Sequence, residues 1–176
     1  MPQNILEVIE RLPQRAKTLL DSAIKLADED LKLQVVDSSV ILLAIIKLGN
    51  GNASAKWLYS TGLTEAAIYR IIQKDFARRE ESKPTRGSGV GKRPNVNVLV
   101  CTPAVIQMAS RLDRFAQEGR TTDAVYISHV LEAVAYSDST TVRRIFALVG
   151  LDMHDVRSKL NRPTILDLEK LYAQSH

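Results

Sequence analysis

Residues 38–48 read SSVILLAIIKL and contain the longest apolar run of the 176-residue chain, from Val40 to Ile46. A segment that is apolar nearly all round predicts a helix at the centre of the fold rather than on its surface. Ser38 and Ser39 are typical N-terminal caps, and Gly49 to Gly51 should end the helix. The run is far shorter than the ~20 residues that cross a bilayer, so we expect a soluble protein without a membrane span.

Amphipathic segments flank this run on both sides. Apolar residues recur every three or four positions, and Gly and Pro fall between the periodic segments, so the sequence predicts an all-α fold. A shorter helix around Trp57 should stop at Gly62, and Thr64 should cap the helix that follows. The other predicted helices are 13–30, 65–79, 103–119, 127–137, 141–149, 152–160 and a last short one around 166–172.

The two halves of the chain are related by a nearly constant offset. After Asn50 the offset is 88, and it takes Gly62-Leu63-Thr64 to Gly150-Leu151-Asp152. Before Asn50 the offset is 89, and the matched apolar pairs include Ala16 with Val105, Leu19 with Met108, Ala23 with Leu112, Leu42 with Leu131 and Ala44 with Ala133. Self-similarity of this kind predicts two pseudo-symmetric four-helix repeats packed as one globular domain and joined by a long flexible loop. The predicted parts are repeat one at 12–76, the linker at 77–100, repeat two at 101–160 and a C-terminal tail at 161–176.

The positive charge of the chain is concentrated in the predicted linker. The whole sequence has a formal charge of +4, and the linker matches that excess with six cations against the two anions Glu80 and Glu81. A solvated loop is one interpretation, and an electrostatic arm for an acidic partner or a nucleic acid is the other. The cations are Arg78, Arg79, Lys83, Arg86, Lys92 and Arg93. This stretch has no aromatic side chain that could stack on a base, which argues against nucleic acid.

The sequence suggests neither a catalytic set nor a metal site. A single cysteine, Cys101, excludes an intrachain disulfide and fits the reducing cytoplasm. Its alignment with Leu12 favours an apolar packing role. No second histidine lies three or four residues from His129 or His154, as a zinc site would favour. Consecutive helical residues such as Ser128 and His129 do not face each other. We therefore expect a non-enzymatic cytoplasmic protein with no cofactor and no metal.

Three short elements, each present in both halves, resemble the double repeat of the Clp amino-terminal domain. This is the helical module that precedes the ATPase rings of Clp-type AAA+ unfoldases. Its repeats have an opening Phe-Thr-x-Arg-Ala element, a Thr-Glu-His-Leu-Leu element and a closing Gly-Val-Asp. The similar stretches here are 12–16 and 101–105, then 38–42 and 127–131, then 62–64 and 150–152.

The resemblance implies a docking platform for adaptors or unfolding substrates of a Clp-type chaperone or protease. Its partners would be a Clp-type ATPase, an adaptor or an unfolding client. In some relatives the threonines and acids of these elements bind phosphorylated arginine, whereas here serines, Ser39 and Ser128, replace the acids. The residues that we expect to bind peptide in a groove between the repeats are Thr102, Ser39, Ser128 and Arg15. Unpaired N–H groups at the helix starts could donate hydrogen bonds to carboxylate or polar backbone groups of a client.

The alternative function is that of a small helical nucleic-acid-binding regulator that uses the basic stretch 78–94 as an arm. The sequence pI near 9.3 favours it. Arg86, Lys92 and Arg93 would then carry the binding and its salt dependence.

Overall fold

The computed structural model of the protein describes residues 9–10, 12, 14–49, 51–82, 100–118 and 127–160. Over these residues the chain is mainly helical, which confirms the all-α prediction. The helices are α1 (Gln14–Lys25), α2 (Ser38–Ile46), α3 (Ala53–Ser60), α4 (Glu65–Ser82), α5 (Pro103–Glu118), α6 (Ile127–Tyr136), α7 (Thr140–Ala147) and α8 (Met153–Leu160). The π-helical turn Leu26–Asp30 continues α1, and the strands are β1 (Val35–Val36) and β2 (Val100–Cys101).

Helix α2 forms the centre of the core, as its sequence predicts. All nine of its residues are buried, and it contacts α1, α3, α4, α5, α6 and α7. A helix that is apolar on every side gains stability only where neighbours cover every side, and burying one Leu or Ile side chain contributes about 1.5–3 kcal/mol. The largest buried side chains around it include Leu20, Leu58, Ile68, Met108 and Phe146.

The cap of α2 differs from the sequence prediction. Asp37, not Ser38 or Ser39, precedes the first helical turn with an extended backbone, and its carboxylate accepts the Ser39 N–H at 3.2 Å. Ser38 and Ser39 are themselves the first two residues of the helix. An aspartate satisfies the unpaired N–H groups of a first turn as well as a serine does, so the capping role moves one residue towards the N-terminus.

A short parallel β-ladder joins two distant parts of the chain. Val35 pairs with Val100 and Val36 with Cys101, and the N–H of Thr102 donates to the Val36 carbonyl at 3.0 Å. The sequence analysis did not predict these strands. The ladder places the segment that precedes α2 beside the segment that precedes α5.

The predicted helix ends at the two glycines are confirmed. Gly62 and Gly150 have φ angles of +97° and +73°, in the left-handed region that glycine adopts most readily. Thr64 accepts the Ala67 N–H at 3.2 Å, and Asp152 accepts the Asp155 N–H at 2.8 Å, so both residues cap the helices that follow.

The first residues of the predicted linker are helical. Helix α4 continues to Ser82, six residues beyond the predicted end of repeat one, and so includes Arg78 and Arg79 in its backbone. The extension is rich in Arg and Glu, which are good helix formers. The rest of the predicted loop, 83–99, and the tail 161–176 lie outside the described residues. None of the described helices is both long enough and apolar enough to cross a membrane.

Candidate functional site

A buried carboxylate lies where β1 meets α2. Asp37 is only 3% exposed, and its two oxygens accept four hydrogen bonds. Its Oδ2 accepts the Ser39 N–H at 3.2 Å, the Ser39 hydroxyl at 2.7 Å and the Ser139 hydroxyl at 2.7 Å. Its Oδ1 accepts the Thr102 hydroxyl at 2.8 Å. A buried carboxylate is stable only when its lone pairs are satisfied, and these four donors satisfy them.

The β-ladder and one helix cap bring these donors together. Thr102 follows β2 directly, so the pairing of β2 with β1 places its hydroxyl beside Asp37. Ser139 is the N-cap of α7 and accepts the Val142 N–H at 3.2 Å while donating to Asp37. Close by in sequence, the Ser38 and Ser137 hydroxyls are hydrogen-bonded at 2.8 Å, and the Ser137 hydroxyl is 2.6 Å from the Val134 carbonyl. The network therefore connects the starts of α2, α5 and α7.

The structure brings together two of the four residues predicted to bind peptide. Thr102 and Ser39 both donate to the Asp37 carboxylate, and Ser39 is fully buried. A ligand that accepted a hydrogen bond from either hydroxyl would have to displace one of these bonds. Ser128 lies in the first turn of α6 and is 9% exposed, and Arg15 lies exposed in the first turn of α1.

The basic residues of the linker prediction are divided by the structure. Arg78 and Arg79 lie on the last turns of α4. The other four, Lys83, Arg86, Lys92 and Arg93, lie outside the described residues. The nucleic-acid alternative, which rests on these six cations together, therefore stays a prediction.

Two open clefts lie between consecutive helices of the fold. The α1/α2 cleft has a volume of about 290 Å³ and is lined by Ser22, Lys25, Leu26, Glu29, Asp30, Ala44, Lys47 and Leu48. The α5/α6 cleft has a volume of about 470 Å³ and is lined by Ile106, Gln107, Ser110, Arg111, Arg114, Ala133, Tyr136 and Asp138. Four lining pairs are exactly 89 positions apart: Ser22 and Arg111, Lys25 and Arg114, Ala44 and Ala133, and Lys47 and Tyr136.

Two arginine side chains lie against the ring of Tyr136, which lines the α5/α6 cleft. The Arg111 guanidinium lies 3.8 Å from the Tyr136 ring centroid and the Arg157 guanidinium 5.0 Å from it. Arg111 also pairs with Glu132 at 3.2 Å, and the Arg157 Nε–H donates to the Ala135 carbonyl at 2.9 Å. Stacking on an aromatic face and pairing with a carboxylate hold these planar groups in fixed orientations.

An ion pair dominates the charge of the α1/α2 cleft. Lys47 Nζ lies 2.7 Å from Glu65 Oε1, and this hydrogen bond raises the pKa of Lys47 above 10.5 against a smaller opposing effect of burial. Both side chains are more than two-fifths exposed, so the pair contributes little stability. Because Glu29 and Asp30 also line this cleft with Lys25 and Lys47, its cations and anions are balanced.

Cys101 and His129 occupy packing positions. Cys101 is buried in the core, and its burial raises the pKa of the thiol above 9.0. His129 is partly buried and its ring lies 4.8 Å from that of Phe115, whereas His154 is exposed in the first turn of α8. Among the described residues, no group of three His, Cys, Asp or Glu side chains could hold a metal ion.

Sequence reasoning missed Asp37, Ser137 and Ser139 as polar residues of the core. One signal for Asp37 was present, since Asp, like Ser, is a preferred residue directly before a helix. Its partners Thr102 and Ser139 lie 65 and 102 positions further along the chain, and no local pattern indicates such a pairing. The two clefts were missed because they depend on how the helices pack.

Fold and site together define a mainly helical protein with a buried polar network and two clefts whose linings include residues 89 positions apart. No protein-family model matches the chain, and no curated protein matches it. The chain is similar to a solved structure described as "Preliminary structural investigations of a malarial protein secretion system", with a TM-score of 0.54 and 16% sequence identity. The similarity covers 86% of this chain and 93% of that one. At this level of identity it shows the fold alone.

Proposed function

We propose that this protein is a non-enzymatic docking module of the Clp amino-terminal kind, which binds segments of adaptors or unfolding clients of a Clp-type chaperone or protease. The observation that carries the proposal is the pair of clefts lined by residues 89 positions apart. Two similar concave surfaces on one small domain suit a protein that contacts extended chains at more than one point.

The proposal includes the double repeat. Each proposed repeat contains four helices, α1 to α4 in the first and α5 to α8 in the second. Gly62 and Gly150 lie at equivalent helix ends, and Thr64 and Asp152 are equivalent caps. Buried residues also fall at the repeat offset, such as Leu19 with Met108 and Ala23 with Leu112. In this interpretation each repeat contributes one cleft between its first two helices, and the chain between α4 and α5 connects the repeats.

The form of the clefts supports binding of protein segments. Both are open, and their volumes of about 290 and 470 Å³ would accommodate a few side chains of a peptide. They are lined by a mixture of long polar side chains and short apolar ones, as expected for peptide recognition by side-chain pockets. The similar solved structure was described in work on a protein secretion system, which is in keeping with a role in handling other proteins.

Affinity capture with the full-length protein tests this proposal. The immobilised protein is incubated with extract from its own source, and the retained proteins are identified by mass spectrometry. We expect a Clp-type AAA+ unfoldase, or proteins known to be its adaptors or substrates, to be enriched over a heat-unfolded sample of the same chain. Recovery of neither under gentle conditions, with a properly folded bait, would overturn the proposal.

A further inference from the structure

The α5/α6 cleft carries an excess of positive charge that the α1/α2 cleft does not. Four guanidinium groups lie in or beside it, and they face two carboxylates. The cations are Arg111, Arg114, Arg143 and Arg157, and the anions are Glu132 and Asp138. In the α1/α2 cleft the two lysines are matched by Glu29 and Asp30 in the lining itself, and Glu65 pairs with Lys47.

Arg114 is the cation of this cleft that is available to a ligand. Arg111 is paired with Glu132, and Arg143 with Asp138, each at 3.2 Å. Arg157 donates to a backbone carbonyl. Arg114 lines the cleft and is exposed, and within the described part of the chain it makes neither a hydrogen bond nor an ion pair.

Polar groups beside Arg114 complete a set of donors. The Gln107 side-chain carbonyl accepts the Asp138 N–H at 2.9 Å, so its amide NH₂ is directed away from that bond. Ser110 adds a hydroxyl to the lining. A planar guanidinium that can form two parallel hydrogen bonds, together with an amide and a hydroxyl donor, matches the acceptor pattern of a carboxylate. Ile106, Ala133 and the ring of Tyr136, on which Arg111 stacks, form the less polar side of the cleft.

We propose that the α5/α6 cleft is the binding site for an acidic peptide segment, whose Asp or Glu side chain pairs with Arg114 while Gln107 and Ser110 donate to the same segment. This inference rests on the proposed function and names the site and the chemistry of the ligand. The α1/α2 cleft lacks this excess of positive charge because Glu29 and Asp30 match its two lysines. The two repeats would therefore differ in what they bind.

Fluorescence anisotropy with short labelled peptides tests the site in the full-length chain. A Glu-Ser repeat peptide is compared with Gln-Ser and Lys-Ser peptides of the same length. We expect the acidic peptide to bind most tightly, and Arg114→Gln to weaken its binding about tenfold, as for the loss of one hydrogen-bonded ion pair. Arg114→Lys should restore part of the affinity, since it keeps the charge but not the forked geometry.

Lys25→Gln is the matched control, because Lys25 occupies the equivalent position of the α1/α2 cleft and its replacement changes the net charge equally. It should leave the affinity for the Glu-Ser peptide unchanged. Equal affinity of Arg114→Gln and the unchanged protein, or an equal loss in Lys25→Gln, would overturn the inference. Arg114 is exposed, so the far-UV circular dichroism of its variants should be that of the unchanged protein.

Three further outcomes separate this inference from its alternatives and from the proposed function. A single-stranded oligonucleotide that binds more tightly than the Glu-Ser peptide, and in an Arg114-dependent way, would replace the peptide assignment with nucleic acid. If Arg114→Gln still captures the Clp-type partner and binds the Glu-Ser peptide as tightly as the unchanged protein does, the assignment of this site is wrong and the proposed function is unaffected. Failure of the unchanged protein to capture any such partner would instead overturn the proposed function.

Discussion

Replacement of Asp37 by alanine should cause the largest loss of stability of any single polar substitution described for this chain. The change removes the acceptor of four hydrogen bonds, and three of the donors belong to the buried residues Ser39 and Ser139. A buried donor left without a partner costs about 1–3 kcal/mol. The Thr102 hydroxyl is only partly buried and can turn to water. Taking the lower part of this range, about 1.3 kcal/mol for each, three orphaned donors predict a decrease of about 4 kcal/mol in the free energy of unfolding.

Urea denaturation measures this decrease, because the single tryptophan, Trp57, packs with its ring centroid 6.4 Å from that of Phe146 and so reports on the core. With a denaturant dependence of about 2 kcal/mol per M, the midpoint should fall by about 2 M. Asp138→Ala is the control, since its side chain is 76% exposed and its loss should change stability by no more than about 0.5 kcal/mol. A decrease below about 1 kcal/mol for Asp37→Ala would refute the reasoning, because it would mean that the donors find other partners.

Three other substitutions test local features of the fold. Arg144→Ala removes the ion-pair partner of Asp75, which lies 2.6 Å away and has a side chain that is only 5% exposed. Because the arginine itself is half exposed, the free energy of unfolding should fall by about 1–2 kcal/mol. Chemical denaturation of Arg144→Ala and Arg144→Lys measures this, and equal stability of both variants and the unchanged protein would contradict it. Gly62→Ala places a residue with a side chain at a backbone φ of +97°, so the free energy of unfolding should fall by about 1–2 kcal/mol, and by less in Gly62→Asn. If chemical denaturation finds Gly62→Ala as stable as the unchanged protein, the backbone strain is excluded. Burial raises the pKa of the Cys101 thiol above 9.0, so the folded state favours the protonated thiol. The stability that comes from keeping this thiol protonated is fully present below pH 9.0 and is lost as the pH rises through the pKa of the folded state. Alkylation of Cys101 by iodoacetamide at pH 8 should therefore be much slower in the folded protein than in urea, and similar rates would contradict its burial.

The helices of the core could be predicted from the sequence because their cause is local. The apolar run from Val40 to Ile46 and the three- and four-residue spacing elsewhere determine which faces must be covered, whatever the neighbours are. The helix ends at Gly62 and Gly150 were equally predictable, since a left-handed residue that ends a helix favours glycine. Helices of this kind can be predicted without knowing which segments pack against them.

The polar network and the clefts could not be predicted because their causes are distant in sequence. Each strand of the β-ladder has two residues, too few to show alternation, and its partner lies 65 positions away. The carboxylate of Asp37 is stable in the core only because that ladder and the cap of α7 bring in hydroxyl groups. The charge of the α5/α6 cleft likewise depends on which arginines are already paired. Arg111 and Arg114 are three positions apart in one helix, yet only Arg111 has an acidic partner among the described residues.

The arrangement separates the residues that stabilise the fold from those proposed to bind. Asp37, Ser39 and Ser139 are buried, and the Asp37 carboxylate accepts hydrogen bonds from both serine hydroxyls. Their replacement should therefore lower stability rather than act on ligand binding directly. Lys25 and Arg114 are exposed on the rims of the two clefts, so their replacement should leave stability nearly unchanged. Matched positions of the two halves keep the apolar character of the core but differ at the rims, where one cleft is balanced and the other positive. In the proposed double repeat, divergence at the exposed rims would let the two clefts take different ligands while both halves keep an apolar core.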